Sequence, residues 1–266
     1  MTAGVTAPAA AYAVAQFRDP AAELARLGQQ AAILALAEEQ ALLELGLPAT
    51  GRALDVGCGP GFVAARIRHT RPQLEIIGVD RDPAMLRQAR QLIPVTEGSA
   101  ERLPFPAGSF DCVYARLVLR HLADPAGALR EMHRVLRPSG RLIVVDSDDG
   151  ALVMHPTPVA FARALGAREK TFQRRGADPF IGRRLPALLG AAEFGDLSFR
   201  PLVVDTVSVG RGPFARIVLA PVADAIDADL LDAVGVAAAV AAIDAWSREP
   251  AAFGMTTVVA LGGSRR

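Results

Sequence analysis

From residue 52 to residue 149, short apolar runs alternate with stretches in which apolar side chains recur at helical spacing. The short runs are typical of buried strands and the longer stretches of amphipathic helices. In chain order the segments are ALDVG, GFVAARIRHT, LEIIGVD, DPAMLRQARQL, SFDCVYARL, PAGALREMHRVL and GRLIVVDSD. Strands that alternate with helices of this length form right-handed βαβ units. We therefore predict an α/β fold with a doubly wound, mostly parallel sheet.

The flanking segments are predominantly helical. Residues 19–45 carry leucine and isoleucine at helical spacing after Asp19–Pro20, a pair that favours a helix start. After residue 149 we predict two helices (FARALGAREKTFQ and RRLPALLGAAEF), a strand (LSFRPLVVDTVSV), a helical stretch over about 212–248 and a last strand (MTTVVALGG). The expected organisation is an N-terminal helical segment over 1–50, a core over 51–150, and a helical cap with two strands over 151–266.

Composition narrows the classes of partner. The chain has 266 residues, of which 51% are hydrophobic, so it can bury one sizeable core. Its 29 basic and 28 acidic side chains leave a net charge of +1, which gives no long-range field to attract a nucleic acid or an anionic membrane. We expect a small-molecule substrate, no nucleic acid partner and no membrane span, and a homo-oligomer is compatible with this composition.

Two further features concern the compartment. The alanine-rich N-terminal segment MTAGVTAPAAAYAVAQF contains no basic residue, which argues against a signal peptide. The two cysteines, Cys58 and Cys112, form no CxxC pair and give no basis for a disulfide framework or a zinc site. A cytoplasmic location is expected.

A glycine-rich loop and an aspartate mark a nucleoside site. Gly57, Gly59 and Gly61 in LDVGCGPG lie where the first predicted strand turns into a helix. Glycine lets a ligand approach the backbone, and the helix N-terminus presents free N–H groups. Asp80 ends the second predicted strand, at about the spacing from the loop where a carboxylate meets ribose hydroxyls. The alternative is that Asp80 caps the next helix, although Asp82 before Pro83 suits that role better.

The form of the loop discriminates among nucleosides. NAD and FAD sites use GxGxxG, whereas this loop is the shorter GCGPG and is preceded by Asp55. A carboxylate at that point repels a pyrophosphate and attracts the ammonium of an amino-acid tail. The sequence therefore favours S-adenosylmethionine over NAD or FAD.

Four motifs occur in order along the chain: LDVGCGPG, GVDRD, GSAERLPFPAGSFDCVYARLVLRHLADP and LRPSGRLIVVDSD. Together they resemble the motifs of the class I S-adenosylmethionine-dependent methyltransferases. The resemblance covers roughly residues 51–150 and is strongest to the ubiquinone/menaquinone-biosynthesis-like branch. It implies a Rossmann-like, seven-stranded sheet and S-adenosylmethionine as cofactor. ELARLGQQ also looks like the helix that some small-molecule members fold over the cofactor.

The resemblance also implies residue roles. Asp55 and the loop Gly57, Cys58, Gly59 and Gly61 would hold the methionine part, and Asp80 the ribose. Arg81 is a further expected cofactor contact. Many relatives have an acidic residue at position 99 for the adenine amine, whereas this chain has Ser99. Its hydroxyl, Glu101 or the backbone of Ala100 would substitute. The remaining expected cofactor contacts are Arg116, through its main chain, together with His121, Arg26 and Gln30; the alternative for the last two is a solvated helix face with a Glu23–Arg26 pair.

Methyl transfer requires a base only when the acceptor holds a proton that must leave. His121, just beyond the predicted strand SFDCVYARL, faces the edge of the sheet where ligands bind, although a histidine that braces a loop is the alternative. Asp148, at the end of the predicted strand GRLIVVDSD, and His155, which follows that strand, complete the candidate catalytic set. Three aspartates within four positions resemble half a magnesium site, yet no matching second acidic group is identifiable, so no metal is expected.

The leading hypothesis is an S-adenosylmethionine-dependent methyltransferase of secondary metabolism that acts on an apolar or amphipathic small molecule by in-line displacement. A cyclase or pericyclase that retains the cofactor without transferring its methyl group needs the same motifs. A regulatory or scaffold protein is less compatible with the intact loop and its two aspartates.

Overall fold

We analysed a computed structural model of the chain, which describes residues 19–224 and 226–266. The alanine-rich N-terminus and the first part of the predicted helical segment 1–50 lie outside these residues. Within the described parts of the chain, no helix is both long and apolar enough to cross a membrane.

The centre of the molecule is a mixed, mostly parallel sheet, and the predicted doubly wound α/β fold is confirmed. Its order is β3-β2-β1-β4-β5-β8-β6, with β7 paired to the other edge of β8. Strands β1 to β5 are parallel, whereas β8 is antiparallel to β5, β6 and β7. In the described residues the strands are β1 Gly51–Val56, β2 Leu74–Asp80, β3 Val95–Glu97, β4 Phe110–Arg116, β5 Leu136–Ser147, β6 Val153–His155, β7 Phe194–Asp205 and β8 Phe253–Arg265.

The sheet has eight strands rather than the expected seven, among the residues described. The additional strand, β6, has three residues, and they pair with Phe253 to Met255 at the start of β8. Three residues are too short to show an alternating pattern, so this strand is recognisable only through its long-range pairing.

Helices cover both faces of the sheet. Asp19 begins α1 as predicted, because its side chain accepts hydrogen bonds from the backbone N–H groups of Ala21 and Ala22. The described helices are α1 Pro20–Ile33, α2 Ala35–Glu44, α3 Phe62–Thr70, α4 Pro83–Ala89, α5 Pro125–Val135, α6 Val159–Arg174, α7 Ile181–Ala191, α8 Thr206–Val209, α9 Arg211–Phe214, α10 Ala220–Ala223 and α11 Ala233–Arg248.

The helical stretch predicted over about 212–248 is interrupted. Helix α9 continues into a π-helical turn over Ala215–Leu219 and then α10, and α11 begins only at residue 233. Asp232 starts α11 by accepting a hydrogen bond from the N–H of Gly235. The break places Ile217, Val218 and Val222 against a cavity beside the sheet.

The strand order reverses between β1 and β4, both of which lie at the centre of the sheet. In the register of these strands, Asp55 lies opposite Gly78 of β2 on one side and Tyr114 of β4 on the other. Ligands of open α/β sheets bind beyond the carboxyl ends of the strands at such a switch point. The glycine loop that follows β1 therefore lies where a ligand site is expected.

Candidate functional site

A cavity of about 340 Å³ opens beyond the carboxyl ends of β1, β2, β4 and β5. This volume is typical of small-molecule sites. Its roof consists of α1, α6 and residues 217–224. The wall includes most of the sequence-predicted cofactor residues: Arg26, Gln30, Asp55, Gly57, Cys58, Gly59, Asp80, Arg81, Ser99, Ala100, Glu101, Arg116 and His121.

The glycine loop owes its shape to two different constraints. At Gly57, where φ is +68°, a Cβ would lie 2.4 Å from Cγ2 of Val118, so the residue must be small for packing reasons. At Gly59, where φ is +54°, a Cβ would meet no atom within 4 Å and would project into open space. The backbone of Gly59 can thus be approached closely by a ligand.

Gly61 is the one predicted loop contact that does not line the cavity. It begins α3, and a Cβ there would lie 3.2 Å from Cα of Ala89 on α4. The structure thus gives Gly61 a role in helix packing. Sequence spacing alone could not distinguish this role from ligand contact.

Asp80 both shapes the loop and faces the cavity. Its Oδ2 accepts a 2.8 Å hydrogen bond from the N–H of Gly59, and its Oδ1 accepts one of 2.9 Å from the N–H of Asp82. Asp82 itself caps α4 through the N–H of Ala84, so the capping alternative for Asp80 does not apply. Each carboxylate oxygen has further acceptor capacity, which suits the two hydroxyls of a ribose.

Asp55 is a buried carboxyl, with only 3% of its surface exposed. Loss of water on burial, and then the nearby charge of Asp80, raise the pKa of Asp55 to about 8. A cationic group placed beside it would favour the ionised form. A nucleoside whose tail carries an ammonium group fits this environment, whereas a pyrophosphate does not.

The predicted adenine edge, Ser99 to Glu101, lines the cavity. The hydroxyl of Ser99 donates to the carboxylate of Glu101, and the N–H of Glu101 in turn lies 3.3 Å from the Ser99 oxygen. The two candidate substitutes for the acidic residue of relatives therefore act as one unit. Ala100, between them, also lines the cavity.

For Arg26 and Gln30 on α1, the alternatives were contact with the cofactor and a solvated helix face with a Glu23–Arg26 pair, and the structure shows parts of both. Nε and Nη2 of Arg26 donate to Glu23 at 2.7 Å and 2.6 Å, which is the predicted local pair. The pair is not solvated, however, because Glu23 is buried and Arg26 lines the cavity together with Gln30. Helix α1 therefore brings a fixed guanidinium to the site.

Arg116 makes a side-chain contact that the sequence did not predict. Its Nε donates a 2.7 Å hydrogen bond to Oε1 of Glu38, a residue of α2 with 0% of its surface exposed. The hydroxyl of Tyr114 donates to the same oxygen at 2.7 Å, and Nη2 of Arg66 donates to Oε2 at 2.9 Å. In the sequence, Glu38 is one of two adjacent glutamates on a predicted helix, and nothing local marks it as buried.

The three candidate catalytic residues have different surroundings. His121 is partly buried and lines the cavity, with its ring centroid 5.6 Å from that of Phe172. Burial, followed by the charges of Arg120 and Arg168, holds the pKa of His121 well below its usual range. The site therefore offers a neutral imidazole.

His155 and Asp148 are not brought to the cavity. His155 is exposed at the end of β6, where it pairs with Phe253 of β8. Asp148 is buried and forms a two-point ion pair with Arg183, at 2.6 Å and 2.7 Å, besides capping the turn at Gly150. Ser147, Asp149 and Leu152 line the cavity, whereas Asp148 pairs with Arg183 and His155 is not among the lining residues. No group of three or more His, Cys, Asp or Glu suited to a metal occurs in the parts of the chain described here.

Comparison with known proteins gives a consistent family. A family model described as a methyltransferase domain matches residues 54–144. A demethylmenaquinone methyltransferase from Deinococcus radiodurans is 43% identical over 102 residues, which cover 36% of this chain and 42% of the relative. A trans-aconitate 2-methyltransferase from Methylobacterium radiotolerans is 34% identical over 164 residues, or 59% of each chain.

The solved structure of the [4+2]-cyclase SpnF superposes on this chain with a TM-score of 0.53 and 25% sequence identity. The match covers 84% of this chain and 79% of the SpnF chain. The chain spans about half the length of the curated relatives it matches.

Proposed function

Because residues 54–144 form a class I S-adenosylmethionine-dependent methyltransferase domain of the ubiquinone/menaquinone-biosynthesis-like branch, we propose that this chain transfers the methyl group of S-adenosylmethionine to a small molecule. The observation that supports this proposal best is the convergence of Asp55, Gly59 and Asp80 on one cavity. A cationic tail, a close approach to the backbone and a sugar diol match these three positions, respectively.

The bound cofactor would supply an electrophilic methyl group on a sulfonium. The chain's own residues then have to bind, orient and exclude water. Asp80 would accept from the ribose, Asp55 would face the ammonium, and the Ser99–Glu101 unit would flank the adenine. Alignment of the acceptor for in-line displacement and exclusion of water supply much of the rate in such reactions.

The acceptor would lie beneath the roof of the cavity. Leu152, Leu165, Ile217, Val218 and Val222 provide an apolar wall on that side. The names of the relatives concern a quinone precursor and trans-aconitate, which differ in chemistry, so the relatives do not select the acceptor. The apolar wall favours an apolar or amphipathic metabolite, and His121 is the candidate to accept a proton from it.

Calorimetric titration with S-adenosylmethionine and S-adenosylhomocysteine tests the proposed cofactor site. Binding of both is expected, and Asp80→Asn should weaken both by at least about tenfold because it removes a charge-assisted acceptor for the ribose. Glu75→Gln, on the exposed part of the same strand, is the matched control. Absence of binding by either nucleoside would overturn the proposal.

A cofactor-retaining cyclase is the second candidate, supported by the similarity to SpnF. The same cavity would then hold the sulfonium as a fixed charge. Product mass discriminates the two: methyl transfer adds one methylene to the acceptor, and a cyclisation yields an isomer of it.

A further inference from the structure

Two arginines share one aspartate on the acceptor side of the cavity. Nη2 of Arg120 donates a 2.8 Å hydrogen bond to Oδ1 of Asp149, and Nη1 of Arg168 donates to Oδ2 of the same carboxylate. Arg120 comes from the turn after β4, Asp149 from the end of β5, and Arg168 from α6. All three line the cavity. The cluster therefore joins the sheet to the roof at the place where an acceptor would lie.

The cluster has more donors than acceptors. Besides the bond to Asp149, Arg120 donates from Nη1 to Ser147, while its Nε is enclosed without a partner. Among residues 19–224 and 226–266, the only hydrogen bond that the Arg168 side chain donates is the one from Nη1 to Asp149. Its other nitrogens are not enclosed, and 13% of the side chain is exposed, so these donors face the cavity.

The neighbouring carboxylates are already engaged. Asp146 is buried and accepts from the backbone N–H groups of Arg120 and Ser147. Asp149 has one oxygen on each guanidinium. Neither carboxylate occupies the open edge of Arg168. Among residues 19–224 and 226–266, no acceptor is bonded to that edge, so an anion from outside the chain can bind there.

An aromatic ring fixes the guanidinium groups in place. Cζ of Arg168 lies 4.5 Å from the centroid of Phe172, and Cζ of Arg120 lies 5.3 Å from it. Contact with an aromatic face leaves the edge of a guanidinium free to donate hydrogen bonds. A planar group with two donors directed to one side matches the oxygens of a carboxylate or a phosphate.

Charge and burial act together here. Burial, partly offset by Asp149, lowers the pKa of Arg168 to about 10, so the group stays cationic at neutral pH. Arg120 is 6% exposed. A charge-assisted hydrogen bond to a partly desolvated guanidinium is stronger than one at an exposed arginine.

We infer that the open edge of Arg168, held in place by Asp149 and Phe172, binds an anionic group of the acceptor. The acceptor is then an amphipathic organic anion whose carboxylate or phosphate contacts Arg168 and whose apolar part lies against Leu165, Ile217 and Val222. This inference rests on the proposed function, since it assigns the chemistry of the acceptor for the same cavity.

The test uses the complex of the full chain with S-adenosylhomocysteine and four ten-carbon probes. Decanoate and decyl phosphate carry the anion, and decanamide and decanol do not. Calorimetry should show that at least one anionic probe binds about tenfold or more tightly than both neutral probes. Tighter binding of decanoate indicates a carboxylate acceptor, and tighter binding of decyl phosphate indicates a phosphate acceptor.

Variants on α6 locate the effect. Arg168→Gln should remove the preference for the anion, and Arg168→Lys should retain part of it because the charge remains and the fork is lost. Arg163→Gln, at an exposed position of the same helix, is the matched control and should bind the probes as the wild type does. Melting temperature and S-adenosylhomocysteine affinity show whether each variant is folded.

The inference is overturned if the wild-type complex binds no anionic probe, if neutral probes bind equally well, or if Arg168→Gln keeps the preference. In each of these cases, retained S-adenosylhomocysteine binding means that the proposed cofactor site stands and the anion subsite alone fails. Loss of nucleoside binding by the wild type would instead defeat the proposed function.

Discussion

The hydroxyl of Tyr114, in the middle of the sheet, donates a 2.7 Å hydrogen bond to Glu38 on the second helix of the chain. The same carboxylate accepts from Arg116 and Arg66, and it has 0% of its surface exposed. A buried carboxylate of α2 that accepts from two residues of β4 and one of α3 fixes the relative positions of these three elements. Through Glu38, the N-terminal helices hold Arg116 at the cavity.

We expect Glu38→Ala to lower the free energy of unfolding by about 3–5 kcal/mol, because it leaves the Arg116 guanidinium and the Tyr114 phenol without an acceptor. Denaturant unfolding followed by circular dichroism measures this change. Glu39→Ala, one position along the same helix, should change the free energy by no more than about 0.5 kcal/mol. Equal effects of the two substitutions would show that the Glu38 contacts do not hold the helices on the sheet.

Two glycine substitutions should separate binding from folding. Gly59→Ala places a methyl group in the open space of the cavity, so S-adenosylhomocysteine affinity should fall by about tenfold or more, while positive φ costs only about 1–2 kcal/mol of stability. Gly57→Ala drives its methyl into Val118, and the clash adds about 1–3 kcal/mol to the same backbone cost. Calorimetry and thermal melts measure the two effects. A Gly59→Ala protein that binds the nucleoside like the wild type would contradict ligand approach at this residue.

The buried carboxyl of Asp55 predicts a pH dependence of stability in the absence of cofactor. Its pKa is raised to about 8 by burial, by Asp80 and by Glu38, against the opposing charge of Arg116. A carboxyl with a raised pKa binds more protons in the folded state than in the unfolded state. Its contribution to stability is therefore present at low pH and is lost as the pH rises from about 4 to 8, by at most about 1.4 kcal/mol per pH unit.

Asp55→Asn should flatten that part of the stability curve, measured by denaturant unfolding at pH values from 5 to 9. The Asp111→Asn protein, altered at a partly exposed carboxylate paired with Arg137, serves as the comparison and should keep the slope. An unchanged slope in Asp55→Asn would assign the pH dependence to other groups, first of all Asp80, whose pKa is also raised by burial.

The same carboxyl couples cofactor binding to proton release. An ammonium group beside Asp55 favours ionisation, so we expect S-adenosylhomocysteine to bind more tightly at pH 8 than at pH 6 and to release a proton near neutral pH. Calorimetry in two buffers of different ionisation enthalpy counts the protons. Absence of proton release from the wild type, or the same release from Asp55→Asn, would remove Asp55 from the ammonium site.

The part of the site that the sequence predicted is the part encoded locally. The loop from Gly57 to Gly59, Asp80 and the Ser99–Glu101 turn follow strand ends in order, and parallel strands bring their carboxyl ends to one edge. The alternation of apolar runs was sufficient for this inference. The Asp19–Pro20 pair also predicted the start of α1, which Asp19 caps.

The residues that the sequence did not reveal depend on contacts between distant segments. Glu38 and Arg168 lie on helices whose sequences, ALAEEQ and GAREKTF, are typical of solvated faces. Their burial follows from docking of α2 and α6 onto the sheet, which no local pattern encodes. His155 and Asp148 show the converse, since proximity to β5 in the sequence did not bring them to the cavity, although Asp149 and Leu152 between them line it.

His121 is the remaining catalytic candidate at the cavity, and its role is open to a direct test. Its imidazole is neutral at neutral pH because burial, Arg120 and Arg168 hold its pKa well below the usual range. A neutral imidazole has the lone pair with which to accept a proton during methyl transfer, and because its lowered pKa makes it a weaker base, we expect the low end of the usual contribution of about 10²–10⁴ in rate. His121→Ala should therefore lower turnover of an acceptor identified with labelled S-adenosylmethionine by about a hundredfold or more, with little change in S-adenosylhomocysteine affinity.

The control is His69→Ala, at an exposed position near the end of α3, which should leave turnover unchanged. Because the pKa of His121 is lowered, the wild-type turnover should show no titration near pH 6.5 from this residue. Unchanged turnover together with a lower melting temperature would instead assign His121 to packing against Phe172.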